Sequence, residues 1–224
     1  MNPWILLDCT QVPDNGGELR LYKHGEDFSI KIAGRGELMN SRKHGSEKAL
    51  AEMTCQRLKG CPSPRLLIGG LGMGFTLAAA LQHVGDQGQV VVAELVPAVV
   101  TWNEGPLGEC AGQPLNDPRA SVLEGDVADI IKSEQQAYDA ILLDVDNGPE
   151  GLTRRQNNWL YSVDGLKAAY AALRPRGVLA VWSAGPADDF FRRLKRIGFE
   201  VEQVRVRAHG KKGTWHTIWF ARRK

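Results

Sequence analysis

The stretch Leu66-Leu67-Ile68-Gly69-Gly70-Leu71-Gly72-Met73-Gly74 constrains the fold of this chain more than any other. An apolar run ends in glycines spaced by two, Gly70, Gly72 and Gly74, and an amphipathic segment from Phe75 to His83 follows at once. That pattern predicts a buried strand turning tightly into a helix. Glycine is needed where the backbone takes left-handed dihedrals or must come close to a ligand. The helix start beyond the turn offers free N–H groups and the positive end of a dipole. The chain then returns through Val90-Val91-Val92-Ala93-Glu94, a second apolar strand ending in an acid. A carboxylate placed there can accept both hydroxyls of a ribose, so the two strands together predict a nucleoside-containing ligand.

From Arg65 onward, strand and helix patterns alternate. Strands are expected at 65–70, 89–94, 120–124, 138–144, 177–182, 199–206 and 214–221, with helices at 74–83, 97–104, 127–133, 163–173 and 186–197. Pro97 suits a first helical turn, and Arg174-Pro175-Arg176-Gly177 ends one helix and enters the next strand. Alternation through five strands predicts a mostly parallel sheet with helices on both faces. Only the loop His209 to Gly213 separates the last two strands, which predicts an antiparallel hairpin at one edge. Residues 1–44 read differently. Strand patterns at Trp4 to Asp8, Glu18 to His24, Asp27 to Ile32 and Glu37 to Asn40 are separated by glycine turns. Ser46 to Lys59 is expected as a helix capped by Ser46, with an apolar stripe of Ala49, Leu50, Met53 and Leu58. The expected fold is therefore α/β: a doubly wound, mostly parallel seven-stranded sheet with a C-terminal antiparallel hairpin, plus a small N-terminal β lobe. The expected division is a lobe at 1–44, a helix and linker at 45–64 and a cofactor-binding domain at 65–224.

Composition narrows the class without naming a function. The 224 residues suffice for one sizeable α/β domain and a small lobe, and 43% hydrophobic with 24% charged residues is ordinary for a globular protein. A net charge of +2 is too small to point to nucleic acid, although Lys and Arg gather between Arg192 and Lys224. Arg205, Arg207, Lys211, Lys212, Arg222 and Arg223 stand near Trp215 and His216, a mixture that can bind phosphates and stack bases. A terminal hairpin usually lies away from a cofactor, so nucleic acid is not the expected partner. The cysteines at 9, 55, 61 and 110 form no CxxC pair and have no histidine at ligand spacing, so neither a metal site nor a disulfide framework is expected. Met1 to Asp8 lacks the basic lead of a signal peptide, and no apolar run reaches membrane-spanning length. The expectation is a cytoplasmic protein without a membrane partner.

Open parallel sheets bind ligands beyond the carboxyl ends of their strands. Those ends carry Gly70, Gly72 and Gly74; then Glu94; then Glu124-Gly125-Asp126-Val127; then Asp144-Val145-Asp146-Asn147; then Trp182-Ser183. Asp126 could accept from an adenine amino group while the Val127 N–H donates to the ring. It could equally cap the following helix. Asp144 and Asp146 are candidate catalytic acids.

Residues 66–182 resemble the catalytic domain of the spermidine synthase family, the polyamine aminopropyltransferases, on a class I S-adenosylmethionine-dependent transferase fold. The glycine turn, Glu94, Gly125-Asp126 and Asp144-Val145-Asp146-Asn147-Gly148-Pro149 carry the resemblance, and Leu38 to Glu47 is similar to the family's lead-in from lobe to helix. The resemblance implies that Glu94 holds the ribose and Asp126 the adenine. It also implies that Asp144 orients and deprotonates an attacking amine, with Asp146 and Glu150 adding attraction for a polycation. The resemblance and the lobe's edge strands are compatible with a homodimer.

Two departures bear on the reaction. The family's glycine turn carries an aspartate where this chain has Gly72. That acid faces the aminopropyl end of decarboxylated S-adenosylmethionine, and it would repel the carboxylate of the intact cofactor. Gly72 therefore favours intact S-adenosylmethionine and a methyltransferase, with Asp144 orienting or deprotonating a small-molecule acceptor, an amine among the candidates. The alternative is aminopropyl transfer from decarboxylated S-adenosylmethionine to a polyamine. A third reading is a non-catalytic nucleoside-binding protein, because fold does not fix function. The second departure is the lobe, which is short, and the family's polyamine-gripping tyrosines have no clear counterpart. Tyr161 lies in the right region, where it could also serve helix packing.

Overall fold

The computed structural model describes residues 3–13, 16–145, 158–185, 187–209 and 212–224. Four antiparallel strands come first: β1 (Ile5–Val12), β2 (Gly17–His24), β3 (Asp27–Ile32) and β4 (Gly36–Asn40), paired in the order β1-β2-β3-β4. Helix α1 (Gly45–Arg57) leads into β5 (Arg65–Gly69), α2 (Phe75–His83), β6 (Gln89–Glu94), α3 (Pro97–Glu104) and β7 (Ala120–Glu124). Then come α4 (Val127–Ser133), β8 (Tyr138–Leu143), α5 (Val163–Ala172), β9 (Leu173–Ser183), α6 (Asp188–Ile197), β10 (Glu200–His209) and β11 (Lys212–Arg222). The large sheet has the order β10-β11-β9-β8-β5-β6-β7. β9, β8, β5, β6 and β7 are parallel neighbours, while β11 runs antiparallel to both β9 and β10. The α/β architecture, the seven-stranded sheet, the terminal hairpin and the separate N-terminal sheet are those expected.

The central strands are apolar on both faces because both faces are covered. Leu66 and Ile68 enter the core beneath α1, α2 and the small sheet, whereas Leu67 enters the core beneath α4, α5 and α6. This is the pattern of a parallel strand buried on two sides. The first core continues into the small sheet through Leu21, Phe28 and Ile30, so one apolar cluster joins the two sheets. A half-buried bond adds to it: the Trp102 indole N–H on α3 donates to Asp8 on β1 at 2.7 Å. Among the described residues, no helix is long and apolar enough to cross a membrane.

Three local expectations need correction. Ser46 does not cap α1. His44 holds the cap position, and Ser46 lies inside the first turn, buried, with its hydroxyl directed to Glu47. β9 begins at Leu173, which pairs with Tyr138, and the register shifts before Ala140 meets Val178. Arg174 precedes Pro175, which disfavours helical dihedrals there and ends α5 early. β1 runs on to Val12 rather than stopping at Asp8, because Cys9 to Val12 pair with Arg20 back to Gly17. Thr10 and Gln11 interrupt the apolar alternation and hide the strand pattern.

Candidate functional site

A cleft of about 590 Å³ opens between the carboxyl ends of the parallel strands and the inner face of the small sheet. Gly70, Gly72, Glu94, Asp144 and Trp182 line it from the large sheet; Leu19, Ile30 and Met39 line it from the small one. Ser46 and Glu47 of α1, Thr76 of α2 and His216 of β11 complete its polar wall.

The glycine turn has the backbone that its residues permit. Gly70, Gly72 and Gly74 have φ of +90°, +55° and +79°, all left-handed. A Cβ on Gly70 would stand 3.0 Å from the Asp144 carbonyl oxygen, so strand ends β5 and β8 close on each other there. A Cβ on Gly72 would stand 3.2 Å from the Met39 sulfur. Asn103 of α3 braces the turn, donating from Nδ2 to the Gly72 carbonyl at 2.8 Å.

Glu94 is 7% exposed. Its Oε2 accepts from the Leu71 N–H at 2.8 Å and its Oε1 from the Val96 N–H at 2.9 Å. Burial pushes its carboxyl upward, and backbone donors at Val96, Leu71, Gly72 and Leu95 oppose that push. Asp126 sits at the next strand end, where Gly125 N–H donates to the Glu94 carbonyl at 2.8 Å. Its Oδ1 caps α4, accepting from Ala128 N–H at 2.8 Å. The Val127 side chain is buried against Gly69. Neither Asp126 nor Val127 lines the enclosed cleft.

Asp144 follows β8 at the cleft floor. Thr76 donates its hydroxyl to Asp144 Oδ2 at 2.6 Å. Desolvation, followed by the charge of Glu47, pushes the Asp144 carboxyl up to about 7, against the lowering effect of the Thr76 bond. Burial also raises Glu47, whose Oε2 accepts from Ser46 Oγ at 2.7 Å. Ser46 Oγ in turn lies 3.0 Å from His216 Nδ1. The His216 ring meets Trp182 edge-on with centroids 4.6 Å apart, and burial lowers its pKa. The buried Trp182 indole N–H has no hydrogen-bond partner among the described residues. Asp146 and Glu150 lie outside the described residues.

Tyr161 belongs to the packing. It is 4% exposed, meets Phe190 edge-on at 5.9 Å and donates its hydroxyl to the Val145 carbonyl at 3.1 Å. Much of the basic hairpin is also accounted for internally. Arg222 donates to the Arg57 carbonyl at 3.0 Å, and Arg223 donates to carbonyls at the end of α5. Arg205 and Arg207 stack over Trp215. Sequence reading missed Glu47 and Thr76 as facing acid and supporting hydroxyl, and it placed Ser46 and His216 in other roles. Their spacing carried no signal, because folding alone brings them together.

A doubly wound sheet of this order, with its last strand reversed, a left-handed glycine turn and acids at successive strand ends, defines the class I methyltransferase-like fold. Spermidine synthases share it. The crystal structure of spermidine synthase from Thermotoga maritima superposes with a TM-score of 0.77 at 17% identity, covering 98% of this chain and 73% of that one. A spermidine synthase in complex with the transition-state analogue AdoDATO gives 0.76 at 17% identity, covering 98% and 72%. In sequence, the chain is 32% identical over 127 residues to polyamine aminopropyltransferase 1 of Streptomyces coelicolor, a match covering 56% of this chain and 23% of that protein. It is 30% identical over 124 residues to the polyamine aminopropyltransferase of Korarchaeum cryptofilum, covering 55% and 36%. The chain thus spans well under half the length of these curated relatives. No protein-family model matches it.

The relatives overturn the methyltransferase reading, since both named proteins are aminopropyltransferases. The structure shows why Gly72 misled. The Met39 thioether from the small sheet occupies the space beside it. A glycine there accommodates a protein side chain and so carries no information about a cofactor carboxylate.

Proposed function

We propose that this protein is an aminopropyltransferase that moves the aminopropyl group of decarboxylated S-adenosylmethionine onto an amine. One observation carries the reading: Asp144, half-buried at the strand end beside the glycine turn and with its carboxyl pushed up to about 7 by desolvation, is suited to take a proton from an ammonium near neutral pH. The resemblance in sequence to polyamine aminopropyltransferases supports it.

The residues present fit such a ligand. Glu94 lines the cleft, where it would accept from ribose hydroxyls, and the adenine would extend from it toward Asp126 and the start of α4 at Val127. Glu37, Glu47, Glu94 and Asp144 give the cleft more acids than its one lysine, Lys43, so cations are drawn in. The cofactor supplies a sulfonium leaving group and an electrophilic carbon. Asp144 Oδ accepts a proton from the acceptor ammonium and holds the resulting amine in line, and Thr76 fixes the carboxylate plane. The aliphatic wall of Leu19, Ile30 and Met39 excludes water and contacts the methylene chain of the acceptor.

The test is direct assay of methylthioadenosine release from decarboxylated S-adenosylmethionine with putrescine and longer amines, beside intact S-adenosylmethionine with the same acceptors. Product with the decarboxylated form alone is expected. Absence of product across the amine series, with the cofactor bound, would reject the proposal in favour of nucleoside binding.

A further inference from the structure

The polar wall opposite Asp144 is a directed hydrogen-bond chain. Glu47 Oε2, Ser46 Oγ and His216 Nδ1 are linked at 2.7 Å and 3.0 Å. A serine hydroxyl has one proton, so the chain has two arrangements. In one, His216 Nδ1–H donates to Ser46, which donates to a Glu47 carboxylate. In the other, a Glu47 carboxylic acid donates to Ser46, which donates to an unprotonated Nδ1. A shift of two protons along the chain converts one into the other. Ser46 is 1% exposed, while His216 is half-buried and so the more open end of the chain. Trp182 packs edge-on against the imidazole and restricts its rotation.

We propose that Glu47, Ser46 and His216 form a proton relay that carries the proton released in the cleft out to solvent. The proposal rests on the aminopropyl-transfer reading for its source of protons. That reaction forms a carbon–nitrogen bond, breaks the sulfonium carbon–sulfur bond, and leaves a neutral thioether and a new ammonium. One proton must leave per turnover. Asp144 takes it first and hands it to Glu47, which lines the same cleft. Glu47 then passes a proton to Ser46 Oγ as Ser46 passes its own to Nδ1, and the imidazolium loses Nε2–H to solvent. Burial disfavours a charged imidazole, which favours that last loss. The other charged groups facing Glu47 across the cleft are Glu37, Lys43 and Glu94; none of them is bonded to Ser46 or His216 in the described contacts. Asp144 is the residue that meets the reacting groups, and Glu47, Ser46 and His216 act through it.

Two experiments decide it. The first needs no activity: nitrogen-15 NMR titration of His216 in the wild type, Ser46→Ala and Glu47→Gln. The wild-type Nδ1 signal is expected to show a second inflection from Glu47 that disappears in both variants. A His216 curve identical in all three overturns the relay. The second is kinetic. Ser46→Ala and His216→Ala are expected to lower kcat by about ten-fold in weak buffer with KM retained, and imidazole should restore His216→Ala. A wild-type kcat in His216→Ala at low buffer overturns the relay. Failure of the wild type to transfer an aminopropyl group would reject the function instead, and the NMR result would still stand by itself.

Discussion

The cleft has two acidic ends built in opposite ways. At the end of β6, Glu94 is buried but answered by backbone N–H groups on both oxygens. At the end of β8, Asp144 accepts from one hydroxyl among the described residues and feels the charge of another acid, Glu47. Fixed donors favour a stable charge, which suits holding a ligand. Desolvation with a like charge nearby favours a proton that comes and goes, which suits chemistry. Two carboxylates on the parallel strands that flank β5 therefore differ in role because of their surroundings, not because of their type.

The sharpest way to break this contrast is Asp144→Asn. It should reduce turnover by about 10²–10⁴-fold while leaving cofactor affinity nearly unchanged, as steady-state kinetics beside calorimetry would show. The rising limb of activity near pH 7 should vanish with it. The same substitution should stabilise the fold. The carboxyl is raised from 3.8 to about 7, so its contribution is full below about pH 4 and is lost as the pH rises through 7. At pH 8 the variant should exceed the wild type by roughly 1–3 kcal/mol in denaturant melts, with the gap closing in acid. Equal stability at both pH values would mean that Asp144 is not desolvated.

Glu94→Gln tests the other end. Affinity for the S-adenosyl ligand should fall by about 1.5–3 kcal/mol, the range for hydrogen bonds to a charged group. Some stability should go too, since an amide nitrogen cannot accept from Leu71 or Val96. An unchanged dissociation constant would remove Glu94 from the site. Next in size is Gly72→Ala, expected to destabilise by about 1–2 kcal/mol through its left-handed backbone. Pairing it with Met39→Ala should recover part of that loss if Met39 is what fills the space, and strict additivity would contradict it. Smallest is Tyr161→Phe, which should cost about 1 kcal/mol of stability and leave KM for the amine untouched. A large rise in KM would return Tyr161 to the substrate.

Sequence patterns exposed what is local. The glycine turn, the strand-end acids and the alternation of apolar strands are encoded within short windows, and the fold they imply is the one observed. The cap on α4 at Asp126 was legible for the same reason. The wall of the cleft was not. Ser46 and His216 lie 170 residues apart and meet only because β11 inserts between β10 and β9 and carries His216 over the start of α1. Met39 and Gly72 meet only because the small sheet folds against the large one. The reaction was misjudged at that point: a contact between distant segments imitated a chemical signature within one motif.

The cleft draws its walls from both sheets, and this couples ligand occupancy to the integrity of the small sheet. Any partial opening that lifts β1–β4 away would uncover the apolar core they share with α1 and α2 and empty the cleft in one event. A bound ligand must then raise the free energy of that opening by mass action. Amide hydrogen exchange in β2 and β3 should slow when the cleft is filled, although those strands carry none of the acids proposed for the reaction.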